Sequence, residues 1–107
     1  MDFSIGRYLE QSFGVFARPT KTKHTIRIAF DSFAAPLVQE RQWHPSQKVT
    51  QLRDGGIELS LTLGNLEEVE RWILSWGSHA EALGPAELKE RIARTVLRLF
   101  DTYRARV

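Results

Sequence analysis

IELSLTL, residues 57–63, alternates apolar and polar side chains without a break. Successive side chains of an extended strand point to opposite faces. Ile57, Leu59, Leu61 and Leu63 therefore share one face, and Glu58, Ser60 and Thr62 the other. This is a half-buried strand whose apolar side needs a cover. Just before it stands Asp54-Gly55-Gly56. Such residues take the positive φ angles of tight hairpin turns. Residues 48–53, KVTQLR, are the expected first arm, though they alternate less clearly and leave room for a bulge. Further out, HTIRIAF (24–30) repeats the strand pattern, with Ile26, Ile28 and Phe30 on one face and Thr25, Arg27 and Ala29 on the other.

The segments between and after these strands carry helical spacing. Asp31 or Ser32 offers an N-cap for a short helix in FAAPLVQER, with Phe33, Leu37 and Val38 expected inward. Pro36 fits only in a first turn, where no N–H partner is lost. Asn65 and Glu68 form a capping-box pair ahead of Leu66, Val69, Ile73 and Trp76, with Trp72 beside that stripe. Gly77 is a natural stop. Residues 79–83 supply a last edge strand. Pro85 opens a final helix running to about residue 103, with Leu88, Ile92, Val96, Leu99 and Tyr103 on one stripe and Leu97 and Phe100 widening it. Its Arg91, Arg94 and Arg98 are expected on a solvated face with Glu87 and Glu90 as partners. The order is βαββαβ plus a long helix. Right-handed crossovers turn that order into an α+β, ferredoxin-like sheet with two helices on one face and the other face open.

Composition limits the function classes. The 107 residues, 42% hydrophobic, make one domain with one core. Absence of cysteine excludes disulfides, thiolate metal sites and a thiol nucleophile, and is compatible with a cytoplasmic protein. No apolar run approaches the roughly 20 residues of a membrane span. Residues 18–53 hold seven Lys or Arg against two carboxylates, whereas residues 54–107 hold seven against nine. The N-terminal part is therefore the expected docking side for an anion.

ERQWHPSQKV (40–49) concentrates polar groups within that basic part. One reading makes it a structural turn: Trp43 closes the core, Pro45 and Ser46 turn the chain, and Gln47 starts the next strand. The other adds ligand contacts from Arg41, His44, Gln47 and Lys48 at the sheet rim, supported by Arg27 and Arg53. A guanidinium grips phosphate bidentately, and amide and imidazole groups read polar edges.

These landmarks together resemble a known family. The IRIAF strand, the ER-x-WHPSQ junction, the DGG hairpin, the helix ending WILSWG, the AEALGP segment and the Arg-rich last helix occur in the order and spacing of the C-terminal extension of bacterial WYL-domain transcriptional regulators, the WCX domain. The resemblance covers roughly residues 24–103. YLEQSFGVF (8–16) resembles the segment joining the WYL domain to this extension, so residues 1–23 are expected to be a lead-in and 24–107 the domain. The resemblance implies a C-terminal piece of a larger regulator, with roles in dimerisation and effector sensing. The implied partners are a second copy and an anionic effector, either a nucleotide or single-stranded nucleic acid. Operator DNA would be bound only through a winged-helix segment that this sequence lacks. The alternative is a stand-alone ferredoxin-like domain that binds a small molecule.

Other chemistry finds little support. The three histidines, His24, His44 and His79, lack metal-ligand spacing such as His-Glu-x-x-His. No nucleophile-elbow motif occurs, and Gly55-Gly56 lacks the following helix of a phosphate loop. No catalytic residue, metal or cofactor is expected. The outward strand positions carry no aromatic ring, which disfavours RNA recognition by base stacking on a sheet.

Overall fold

The computed structural model describes residues 23–104. Its elements are β1 (His24–Phe30), α1 (Ala34–Gln39), β2 (Lys48–Gln51), β3 (Ile57–Leu63), α2 (Leu66–Ser75), a 3-10 turn at Gly77–His79, β4 (Ala80–Gly84) and α3 (Ala86–Arg104). The strands form one sheet in the order β2-β3-β1-β4, every neighbouring pair antiparallel. This is the ferredoxin-like order expected from the alternation of elements. Of the expected lead-in, residues 1–23, all but Lys23 lie outside the described residues.

Register decides which side chains meet. Ile26 lies opposite Leu61, Ile28 opposite Leu59, and Phe30 opposite Ile57. All six are essentially inaccessible to solvent. Each such side chain stabilises by about 1.5–3 kcal/mol relative to an exposed one. The cover comes from Ala34, Ala35 and Val38 of α1, from Leu66, Val69, Trp72 and Ile73 of α2, and from Leu88 of α3. The outward positions Thr25, Arg27 and Thr62 are exposed, and Ala29, Glu58 and Ser60 half-buried.

Two expectations about helix faces change. Phe33 and Leu37 were placed inward; they are 62% and 43% exposed. Asp31 sets the phase of α1: its Oδ1 accepts from the Phe33 and Ala34 amides at 3.1 and 3.0 Å. With that start, residues 34, 35 and 38 face the sheet, and the two alanines let so short a helix lie close to it. Pro36 falls in the first turn, as required. The apolar stripe of α3 is covered only at its start. Leu88 is buried and Ile92 packs against the core, but Val96, Leu97, Leu99, Phe100 and Tyr103 are all exposed. Arg91 is also not merely solvated: it reaches α2, donating to Glu70 at 2.7 Å and lying 3.8 Å from Glu67.

At the start of α2, the Asn65 Oδ1 accepts from the Glu68 amide at 3.2 Å. The reciprocal half of the capping box is replaced: the Glu68 carboxylate is buried and receives Arg71. Gly77, at φ 63°, ends the helix in the left-handed conformation expected of a stop glycine. β2 ends at Gln51, two residues short of the expected arm. Leu52 to Gly56 then form the turn, with the Leu52 amide donating to the Gly56 carbonyl at 2.9 Å.

Asp31 also joins the two halves of the chain. Its Oδ2 lies 2.7 Å from His79 Nδ1, and its amide donates to the His79 carbonyl at 3.1 Å. The Ala34 amide first, and His79 next, hold the Asp31 carboxyl below the usual carboxylate range. A depressed native pKa gives stability that is present above the unfolded value of about 3.9 and is lost as pH falls through the native value. The denaturation midpoint should therefore fall on acidification below about pH 4. That acid dependence should be shallower in Asp31→Asn. Equal slopes in parent and variant would show that Asp31 does not carry it.

Candidate functional site

The ER-x-WHPSQ turn is built inward before it is built outward. The Trp43 indole is buried, donates from Nε1 to the Val38 carbonyl at 2.9 Å, and sits 4.8 Å from the Trp72 ring. Gln47 closes the loop on itself. Its Oε1 accepts from the Trp43 amide at 2.6 Å, and its Nε2 donates to the Arg41 carbonyl at 3.3 Å. Ser46 ties the loop to β3: its Oγ accepts from the Thr62 amide at 2.8 Å. This side-chain bond continues the β2–β3 ladder one step past Lys48, which pairs with Ser60.

His44 is half-buried beside that bond. Its Nδ1 accepts from the Ser46 amide at 3.1 Å and lies 2.7 Å from the Ser46 hydroxyl. Burial, and then the Lys23 ammonium, push the imidazole below its ordinary pKa. The ring is therefore neutral at pH 7, and with Nδ1 accepting, its proton resides on Nε2. Lys23 was not among the expected site residues. Its signal lay in the basic RPTKTK run (18–23), immediately before β1; the fold brings the end of that run to the turn.

The six expected contacts fall in three places. Arg41, His44 and Gln47 belong to the turn at the His24–Leu63 end of the sheet. Lys48 and Arg27 stand on the open face, on either side of Ser60 in one rung, because Ser60 pairs with both positions. Two strand spacings put their backbones about 10 Å apart. Arg53 lies in the hairpin at the opposite end, roughly 17 Å along the strand from Lys48. One nucleotide-sized ligand cannot span both ends.

Arg27 is bound bidentately by Glu58, Nε to Oε2 at 2.7 Å and Nη2 to Oε1 at 3.2 Å. The hydrogen bond from Arg27 holds the Glu58 carboxyl below its ordinary range. Half of the Arg27 side chain is exposed, so water screens the pair and a competing anion can reach it. No carboxylate among the described residues forms a salt bridge with Arg41, Lys48 or Arg53. No group of three His, Cys, Asp or Glu able to hold a metal ion occurs among the described residues, and no described helix is long and apolar enough to cross a membrane. A shallow depression of about 240 Å³ lies on α3, lined by Thr95, Arg98, Leu99 and Thr102, away from the turn. The chemistry available at the turn and open face is thus that of a shallow, cationic, hydrogen-bonding surface.

Comparison with known proteins agrees with the earlier resemblance. The family model described as WCX domain matches residues 22–100. Protein PafC of Mycobacterium tuberculosis, in strains CDC 1551 / Oshkosh and ATCC 25618 / H37Rv, is 28% identical over 64 residues, which is 60% of this chain. The aligned part is 20% of PafC, so the chain spans about a fifth of the length of the curated relatives it matches.

Proposed function

We propose that this chain, which belongs to the WCX domain family, is the non-catalytic, effector-sensing module of a WYL-type transcriptional regulator. Family membership makes it a regulation-associated domain. The effector in this reading is anionic, a nucleotide or a short single-stranded nucleic acid. The observation that carries the reading is the rung Lys48–Ser60–Arg27 on the uncovered sheet face. Its cations are spaced for a phosphate-bearing ligand, and Glu58 holds one of them in a screened pair that such a ligand displaces. Lys23, Arg41 and the Nε2–H of His44 extend the same surface toward the turn, while the Gln47 amide serves by shaping the loop.

Calorimetric titration with a nucleoside triphosphate and with a short single-stranded oligonucleotide tests this. Weak binding is expected, falling steeply with added salt because counterions are released. Arg27→Ala with Lys48→Ala should weaken it by about tenfold or more, the effect of losing 1.4 kcal/mol. Arg41→Ala with His44→Ala should weaken it less, and Arg53→Ala should leave it unchanged. Equal affinities for the parent and the Arg27/Lys48 variant would remove the open face from the site. Salt-independent binding of an uncharged small molecule would instead favour a stand-alone ligand-binding domain.

A further inference from the structure

The open face of the sheet is charged in layers. Outward side chains directly opposite one another fall into rungs two residues apart along the strands, about 7 Å. The rung Lys48–Ser60–Arg27 is cationic and ends on β4 at Gly84, which has no side chain. The next rung away from the turn runs Thr50–Glu58–Ala29–Glu81, because Glu58 and Glu81 both lie opposite Ala29. Two strand spacings put the backbones of the two glutamates about 10 Å apart, with the half-buried Ala29 methyl between them. The rung on the other side of the cations pairs Thr25 with Thr62, two hydroxyls and no charge. Beyond it stand the turn residues Arg41 and His44, with Lys23 beside His44.

We infer that Glu58 and Glu81 select the ligand of the proposed anion site, on which this inference rests: they accept N–H groups from its base edge, so that a base with an exocyclic amino group is taken in preference to uracil. The order of charges fixes how such a ligand lies. Its phosphates extend from the Lys48–Arg27 rung toward Lys23 and the turn, since a phosphate placed one rung the other way would face two carboxylates. The part over Ala29 is therefore the part without phosphate. An ionised carboxylate is an acceptor only. It pairs with the N4 amino group of cytosine, and meets a lone pair of uracil O4 in the same place. The two glutamates reach that base by different routes. Glu81 is exposed and forms no salt bridge with a Lys or Arg among the described residues, so it accepts at once. Both Glu58 oxygens accept from Arg27. A phosphate on Arg27 releases them, and they then need new donors. Anion capture and base choice are thus linked through one side chain.

Calorimetric titration of the full 107-residue chain with cytidine triphosphate, uridine triphosphate and inorganic triphosphate tests it. The two nucleotides carry the same charge, so the ratio of their affinities reports the base alone. Cytidine triphosphate should bind about fivefold more tightly, the lower end for a carboxylate on a cytosine amino group. The double variant Glu58→Gln with Glu81→Gln should bring that ratio to within about twofold of unity. For inorganic triphosphate the single variants should part. Both gain from one fewer negative charge, but only Glu58→Gln releases Arg27, so its affinity should rise by about a further twofold to fivefold, the worth of a screened pair. Both positions lie on the open face outside the core, and circular dichroism of each variant should match the parent. Equal affinities of the parent for the two nucleotides would overturn the selection and leave the anion site standing. A ratio that survives the double substitution, or equal gains by the two single variants, would overturn it as well. Failure of all three ligands to bind would overturn the anion site and the selection with it.

Discussion

Replacing Trp72 by alanine should destabilise the domain by about 3–5 kcal/mol, the range for deleting a buried large aromatic side chain. Its indole is 1% exposed and touches three other rings: Trp43 at 4.8 Å, Phe30 at 5.6 Å and Trp76 at 6.2 Å. These come from β1, from the turn after α1 and from the end of α2, so a single cavity would loosen three elements. A domain of this size is stable by about 5–15 kcal/mol, and such a loss takes roughly a fifth or more of it. Trp72→Phe should cost only about 1–2 kcal/mol. The indole Nε1 has no nitrogen or oxygen partner among the described residues, so phenylalanine keeps ring contacts and removes a buried, unsatisfied donor. Urea denaturation with an unchanged slope would read both values. An alanine variant within about 1.5 kcal/mol of the parent would mean that the core closes over the gap, and the aromatic cluster would not be the keystone argued for it.

The second large effect should come from one methyl group. A Cβ at Gly56 would lie 2.3 Å from the Phe30 carbonyl oxygen and 3.1 Å from the Asp54 carboxylate. The carbonyl cannot retreat, because β1 is the central strand paired on both sides. Gly56→Ala should therefore cost about 2–4 kcal/mol, as overpacking against fixed backbone does. The neighbouring Gly55 is a glycine for a different reason. Its φ is +88°, and the nearest obstacle to a Cβ is a side-chain atom, Ser32 Cβ, at 3.4 Å. Gly55→Ala should cost about 1–2 kcal/mol of left-handed strain. Thermal or urea denaturation of both variants should rank Gly56→Ala as the worse. The reverse order would show that turn conformation, not close approach, constrains this hairpin. The turn also fixes β2 against β3, so any shift at Gly56 moves Lys48 off the Ser60 rung. Weakened anion binding by Gly56→Ala would then accompany lost stability.

Legibility of the chain tracks the range of the forces involved. β3 coincides with the expected strand because IELSLTL alternates strictly and a one-residue slip would expose four apolar side chains. The start of α2 was equally plain, since Asn65 and the Glu68 amide are three residues apart. The phase of α1 was not. Phe33 and Leu37 are more apolar than Ala34 and Ala35, yet the Asp31 cap and the need for close approach turn the alanines inward. The apolar stripe of α3 was read correctly as a stripe, but periodicity does not say how much of it the body covers. At 1.5 Å per residue the helix is about 28 Å long, and the sheet and α2 engage only its first half.

The candidate site divides in the same way. The sequence by itself determined the βαββαβ order, the alternation that fills one sheet face, the turn glycines and the basic character of the first half, because each is set between residues a few positions apart. Only the tertiary structure decided that Lys23 stands beside His44, that Glu58 holds Arg27, that Lys48 shares a rung with Arg27, and that Arg53 stands at the far end. Those relations follow from strand order and register between segments up to some forty residues apart. A period-two pattern tells each strand which face to bury, but carries no information on which partner, or which residue of that partner, will lie opposite.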